Sequence, residues 1–211
     1  MSALRKLAEL GSAPVRRSRP EDLSLESTFG VAAAGILGPM LSLKNGFYAF
    51  EGALHVYSDW GAPSEPGLVE WNADSLWKSE YQGMAKGLLC FAEDVVGMQF
   101  CLKDGGVSRF DPETGEVEVM APDPEHWAEM ILGDHELWTG FRLAHEWQED
   151  HKPLPVGSRL VPITPFVLGG EFTSKNLHVL EAVKGMRYRA SIAVQIRDLP
   201  DGASVNLRVI D

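Results

Sequence analysis

The sequence predicts an α+β fold, an antiparallel meander sheet flanked by helices, with a further α/β segment packed at the carboxyl end. Three observations lead there. Four short apolar runs, at 88–92, 98–102, 107–110 and 116–120, follow one another with only a few turn-rich residues between them. Parallel strands would need crossovers of about a dozen residues or more, so connections this short dictate antiparallel neighbours. Immediately after the fourth run, Asp123-Pro124 supplies a helix cap and first-turn pair, a side-chain acceptor followed by a residue whose missing N–H costs nothing there. Finally, a chain of 211 residues, 45% apolar and 23% charged, suits one folded unit that needs no disulfide or metal staple.

In chain order, residues 2–10 read as a short helix ending at Gly11. Residues 12–20 are basic and bounded by prolines, and 1–20 together are expected as a flexible basic arm. An apolar helix is expected over 28–37, weakened by Gly30 and Gly35. Asn45-Gly46 is a turn signal ahead of a hairpin, with strands at 47–50 and 54–57 closing around Glu51-Gly52-Ala53. Residues 58–66 are loop. Leu68, Trp71, Leu76 and Trp77 stand near helical spacing and predict a helix over 68–81.

The meander comes next, its gaps carrying glycine where positive φ is needed and Pro112 at a corner. In the helix that Asp123 opens, Trp127, Met130 and Ile131 share one face, Glu125 and Glu129 the other, and Gly133 ends it. Asp134 caps a second helix whose apolar side is Leu137, Phe141 and Ala144. Residues 159–168 are extended, Gly169-Gly170 makes a bend, and 177–180 is a strand. Met186, Ala190, Ala193 and Ile196 fit a last helix, and Asp201-Gly202 turns into an alternating strand at 204–209. The organisation expected is a single domain over 1–211: the arm, a core at 21–133, and an extension at 134–211 packed on it.

Charge is unevenly placed. The net charge is −11, and the segment 111–151 alone carries twelve acids against Arg142. Such a field repels nucleic acid and anionic membrane and speeds encounter with basic proteins. Glu113, Glu116, Glu118, Asp123, Glu125, Glu129, Asp134 and Glu136 are therefore the candidate partner-binding residues.

Catalytic signatures fail one by one. His145 and His151 are six apart, which puts them on different sides of a helix, whereas a zinc-protease helix needs four. His126 and His135 sit among carboxylates and read as surface residues. No G-x-S-x-G elbow, G-x-x-x-x-G-K-[ST] loop or G-x-G-x-x-G loop occurs. Met186-Arg187-Tyr188-Arg189 is expected to pack its methionine inward and pair its arginines with the acidic segment. The bend at Gly169-Gly170, with Glu171 and Asn176, is where a ligand pocket would be sought. No catalytic residue, cofactor or metal site is assigned. Cys90 and Cys101 fall on neighbouring expected strands; they are expected as reduced core residues, with a bridge geometrically open. With no secretory signal at its start and Val31 to Leu37 as its longest apolar run, the chain is expected in the cytoplasm.

Several of these stretches occur together and in order: Leu43-Lys44-Asn45-Gly46-Phe47, Leu54-His55-Val56, the run from Leu88 to Phe100, Val107 and Phe110 through Glu116, and Trp127-Ala128-Glu129-Met130-Ile131. Over residues 41–132 this resembles the SUKH superfamily, which includes yeast cell-wall-assembly regulators and bacterial toxin-immunity proteins. The resemblance implies a non-enzymatic scaffold presenting a variable surface to a protein partner, commonly a toxin domain, and it carries over no active-site residues. A basic toxin would meet the acidic surface. The alternatives are a regulatory or scaffolding protein without a toxin, and a small-ligand binder or enzyme.

Overall fold

The computed structural model of the chain describes residues 1–20, 22–62, 64–200 and 202–203. Its centre is a six-stranded sheet in which every strand pairs antiparallel with its sequence neighbour: β1 (Phe47–Ala49), β2 (Leu54–Val56), β3 (Leu89–Asp94), β4 (Gln99–Lys103), β5 (Gly106–Phe110) and β6 (Val117–Ala121). The fold is α+β. A separate two-stranded ribbon pairs β7 (Ser158–Pro162) with β8 (Leu177–Glu181).

Helices cover both faces of the sheet. On one lie α1 (Ala3–Leu10) and α4 (Pro124–Gly133), whose Trp127 meets the rings of Phe91 and Phe100 edge-on at 5.0 and 5.5 Å. On the other, Trp71 of α3 (Leu68–Trp71), Trp77 and Tyr81 stack towards Phe110, with Met186 of α7 (Ala182–Ile196) beside them. Trp71, Trp77 and Trp127 are all fully buried. Truncating any one of them to alanine costs about 3–5 kcal/mol.

Several sequence expectations are corrected. The helix expected over 68–81 stops at Trp71, because the Asn72 side chain turns to the sheet. Its Nδ2 donates to the Cys90 carbonyl at 2.8 Å and its Oδ1 accepts from the Cys90 N–H at 2.8 Å. The chain resumes only as a 3-10 turn at Lys78–Tyr81. Asp134 does cap a helix, α5 (His135–Thr139), but Gly140 at φ 66° breaks it from α6 (Phe141–Asp150). The apolar helix expected over 28–37 is part of a longer element, α2 (Asp22–Leu43), kinked at Gly30 where φ is 82°. Its stretch Leu25–Leu43, with mean hydropathy 1.2, is long and apolar enough to cross a membrane by length and composition, and a third of it is buried in the protein.

The basic arm lies along β1: Ser12 N–H donates to the Tyr48 carbonyl at 2.7 Å, Val15 to Gly46 at 2.9 Å and Arg16 to Asn45 at 3.1 Å. The strand expected at 204–209 lies outside the described residues. A second apolar cluster, of Ala53, Val95, Val96, Leu143, Ala144, Trp147, Leu160 and Leu177, joins the β3–β4 turn to the carboxyl-terminal third. Leu160 N–H donating to the Val95 carbonyl at 2.9 Å fastens that junction.

Candidate functional site

The acids gather where the β3–β4 and β5–β6 turns meet the loop after β7. The β3–β4 turn is built around Asp94, whose Oδ1 accepts from Val96 N–H and Met98 N–H, both at 2.9 Å. Arg109 of β5 approaches Asp94 Oδ2 to 3.9 Å and stands across from Glu118 of β6. Asp111 organises the β5–β6 turn, its Oδ1 accepting from Glu113 N–H at 2.7 Å. The resulting cleft of about 270 Å³ is lined by Asp94, Asp111, Glu116 and Glu118 around Arg109. Leu137, Phe166 and Phe172 wall it, with Leu137 and Phe172 more than 60% exposed. A smaller hollow of about 160 Å³ adjoins it, lined in part by Glu113, Val167 and Arg189.

Electrostatics inside the cleft are not those of a free acidic surface. Burial raises the Asp94 carboxyl to about 7, despite Arg109 and its two N–H donors. Glu113 is also raised by burial; its Oε2 accepts from Val167 N–H at 2.9 Å, while its Oε1 has no hydrogen-bond partner among the described residues. Site and counter-charge are therefore mixed, with carboxyls outnumbering guanidinium groups.

The eight predicted residues separate into three groups. Glu113 is 4% exposed, so it is a structural carboxylate under the 166–168 turn rather than a surface contact. Three acids hold helix ends. Asp123 Oδ1 accepts from His126 N–H at 2.9 Å, Asp134 Oδ1 accepts from Leu137 N–H at 3.0 Å, and Glu125 accepts from Ala3 N–H and Leu4 N–H at the start of α1. Carboxylates are well suited to that place, where a helix presents unpaired N–H groups and a partial positive charge. Glu116, Glu118, Glu129 and Glu136 remain exposed, and only Glu116 and Glu118 line the cleft. Sequence reasoning missed Asp94, Asp111 and Arg109 as cleft residues, since each reads locally as turn or strand.

Other candidates dissolve into local structure. His126 pairs with Asp123 at 2.8 Å and His145 with Glu51 at 2.9 Å, each raised by that hydrogen bond. His151 stacks on Trp147 at 4.2 Å, and His135 on Phe50 at 4.6 Å. Among the described residues no three His, Cys, Asp or Glu side chains are grouped to hold a metal. Met186 is buried as expected, but Arg187 pairs with Glu80 at 3.0 Å and Arg189 donates to the Val96 carbonyl, so neither arginine meets the acidic segment as an ion pair. At the Gly169-Gly170 bend, Asn176 Nδ2 donates to Thr164 O at 2.9 Å and to Glu171 O at 3.0 Å. Those side-chain bonds to backbone carbonyls close the bend itself, while Phe166 and Phe172 on either side of it wall the cleft.

A second polar group is sealed inside. His55 Nδ1 lies 3.2 Å from Glu93 Oε1, and Arg159 Nε lies 2.8 Å from the same oxygen. Glu65 accepts from Tyr48 OH and stands 3.6 Å from His55 Nε2. Burial lowers the His55 pKa, so the ring is neutral and donates to Glu93. Burial would raise Glu93, but the Arg159 guanidinium brings it down to about 2. His55, Glu65, Glu93 and Arg159 are each at most 7% exposed. The arrangement is that of a core ion network.

No family model matches the sequence, and no curated protein matches it. Among solved structures, the chain is similar to the crystal structure of Atu4351 from Agrobacterium tumefaciens, with a TM-score of 0.54 and 12% identity over 88% of this chain and 87% of that one. The likeness is one of fold.

Proposed function

We propose that this chain is a non-enzymatic protein-binding module, an immunity-type inhibitor whose acidic cleft receives a basic segment of a bacterial toxin domain. The observation that carries the reading is the cleft itself: Asp111, Glu116 and Glu118 around Arg109, with buried Asp94 at its base, opened to solvent between exposed Phe172 and Leu137. Apolar walls with acidic groups suit an arginine or lysine side chain, which buries its methylene stem and keeps its charge paired. The resemblance over 41–132 to SUKH proteins supports the same class of partner. Acidic charge here would act chiefly on the rate of encounter, falling with ionic strength.

The test uses the tagged full chain as bait for lysate of its native organism at low and high salt, beside the Glu116→Lys/Glu118→Lys variant. A basic protein held by the wild type at low salt, weakened by high salt and lost with the variant, is the expected result. Retention indifferent to both salt and charge reversal would remove the cleft from the reading.

A further inference from the structure

We propose that Cys90 and Cys101 close an intramolecular disulfide across β3 and β4. The two residues stand directly opposite in the register of that antiparallel pair, both with no exposed surface. Their Sγ atoms are 2.8 Å apart. Directly opposed residues on antiparallel strands hold their Cβ atoms about 4.5–5.5 Å apart, close to the roughly 3.5–4.5 Å that a disulfide spans. Small side-chain rotations therefore bring the sulfurs to a bond of about 2.05 Å without separating the strands. The register shift between Cys90 and Ala92 gives β3 local slack at that point.

The surroundings hold the pair in place. Asn72 takes both backbone groups of Cys90, and Lys78 Nζ donates to Asn72 Oδ1 at 2.8 Å and to Leu88 O at 2.6 Å. The buried Lys78 ammonium favours thiolate at Cys101, while burial opposes it more strongly and keeps the folded thiol protonated. Exchange therefore belongs to the stage when the β3–β4 hairpin has formed but is not yet covered, since thiolate and access both set its rate.

The oxidant is a low-molecular-weight disulfide. Cys90 thiolate attacks one of its sulfurs, forming a mixed disulfide and expelling one small thiolate, which takes up a proton. Cys101, having given its proton to solvent, attacks Cys90 Sγ and expels the second. Two protein S–H bonds and one small S–S bond are lost; one protein S–S bond and two small thiols are gained, with two electrons passing from the protein to the reagent. The staple lies in the hairpin whose turn carries Asp94 and Met98 to the cleft. It stands independently of the binding reading.

The full chain is refolded from denaturant at graded ratios of oxidised to reduced glutathione and quenched in acid. Remaining thiols are labelled with a maleimide in denaturant, and the intact mass is read. The expected product has lost both thiols together, weighs two hydrogens less, is a single chain and carries no glutathione. Cys90→Ser and Cys101→Ser each keep one thiol or take one glutathione. A chain that does not refold is oxidised as isolated, with dithiodipyridine in urea below its unfolding midpoint, and read the same way. Two free thiols at every ratio, or thiol loss only through adducts or links between chains, overturns the proposal.

Discussion

Glu93 and Asp94 are adjacent and both buried, yet they titrate in opposite directions because Arg159 stands 2.8 Å from one whereas Arg109 comes only within 3.9 Å of the other. Glu93, held at about 2, contributes stability that is present above its ordinary 4.5 and lost as pH falls towards 2. Asp94 is raised from 3.8 to about 7, so the folded chain binds the extra proton between those values. Stability from that site is greatest below the lower value and declines as pH rises through the upper one, by up to about 1.4 kcal/mol per pH unit. Urea unfolding across that range should show the decline in the wild type and a flatter profile in Asp94→Asn, which keeps the turn acceptor. An identical decline in both would assign the slope elsewhere. Arg159→Met leaves Glu93 buried and unpaired, at a cost of about 3–5 kcal/mol. Glu93→Gln/Arg159→Met should recover much of that loss, read from the same unfolding midpoints. None of this was legible locally: the sequence marks 93–97 as a turn, while Arg159, which holds Glu93, lies far along the chain, and the burial that raises Asp94 is set by packing from elsewhere.

The strands were legible because turn chemistry and apolar runs are local signals, and all six central strands follow one another without a crossover. Helix ends were harder. Asp123 and Asp134 announced themselves by residue type, whereas the stop at Asn72 depends on the β3 backbone it bonds. The break between α5 and α6 rests on Gly140, where an added Cβ would sit 2.9 Å from Val95 Cγ1 at a backbone angle that favours glycine. Gly140→Ala should therefore destabilise by more than about 1 kcal/mol. Gly133 lies in α4 with open space around it, and Gly133→Ala should gain about 0.5–1 kcal/mol from lower backbone entropy in the unfolded chain. Thermal unfolding of both variants checks the pair; equal shifts would mean the break is not set by Gly140. The eight candidate acids show the same divide. Charge density and the caps Asp123 and Asp134 were plain from the sequence, but that Glu125 holds the start of α1 and Glu113 lies under the 166–168 turn depends on packing from elsewhere in the chain.

Across the whole molecule, acidity and apolar packing are joined at one place, the β3–β4 turn, which lines the cleft on one side and docks α6, β7 and α7 on the other. Charge reversal at Glu116 and Glu118 changes the exposed side alone, so it should alter association rate and salt dependence while leaving the unfolding midpoint within about 0.5 kcal/mol of wild type. A large loss of stability would mean those side chains hold the fold. The Glu93–Arg159 contact has a consequence for biosynthesis. The sheet's carboxylate leaves the ribosome well before the guanidinium that neutralises it, and Arg189, which ties down the turn, comes later still. Until then the nascent meander carries a charge it cannot bury and an apolar edge without cover. A chain terminated after α4 should thus be retained by chaperones and cut by proteases, even though its six strands are all present.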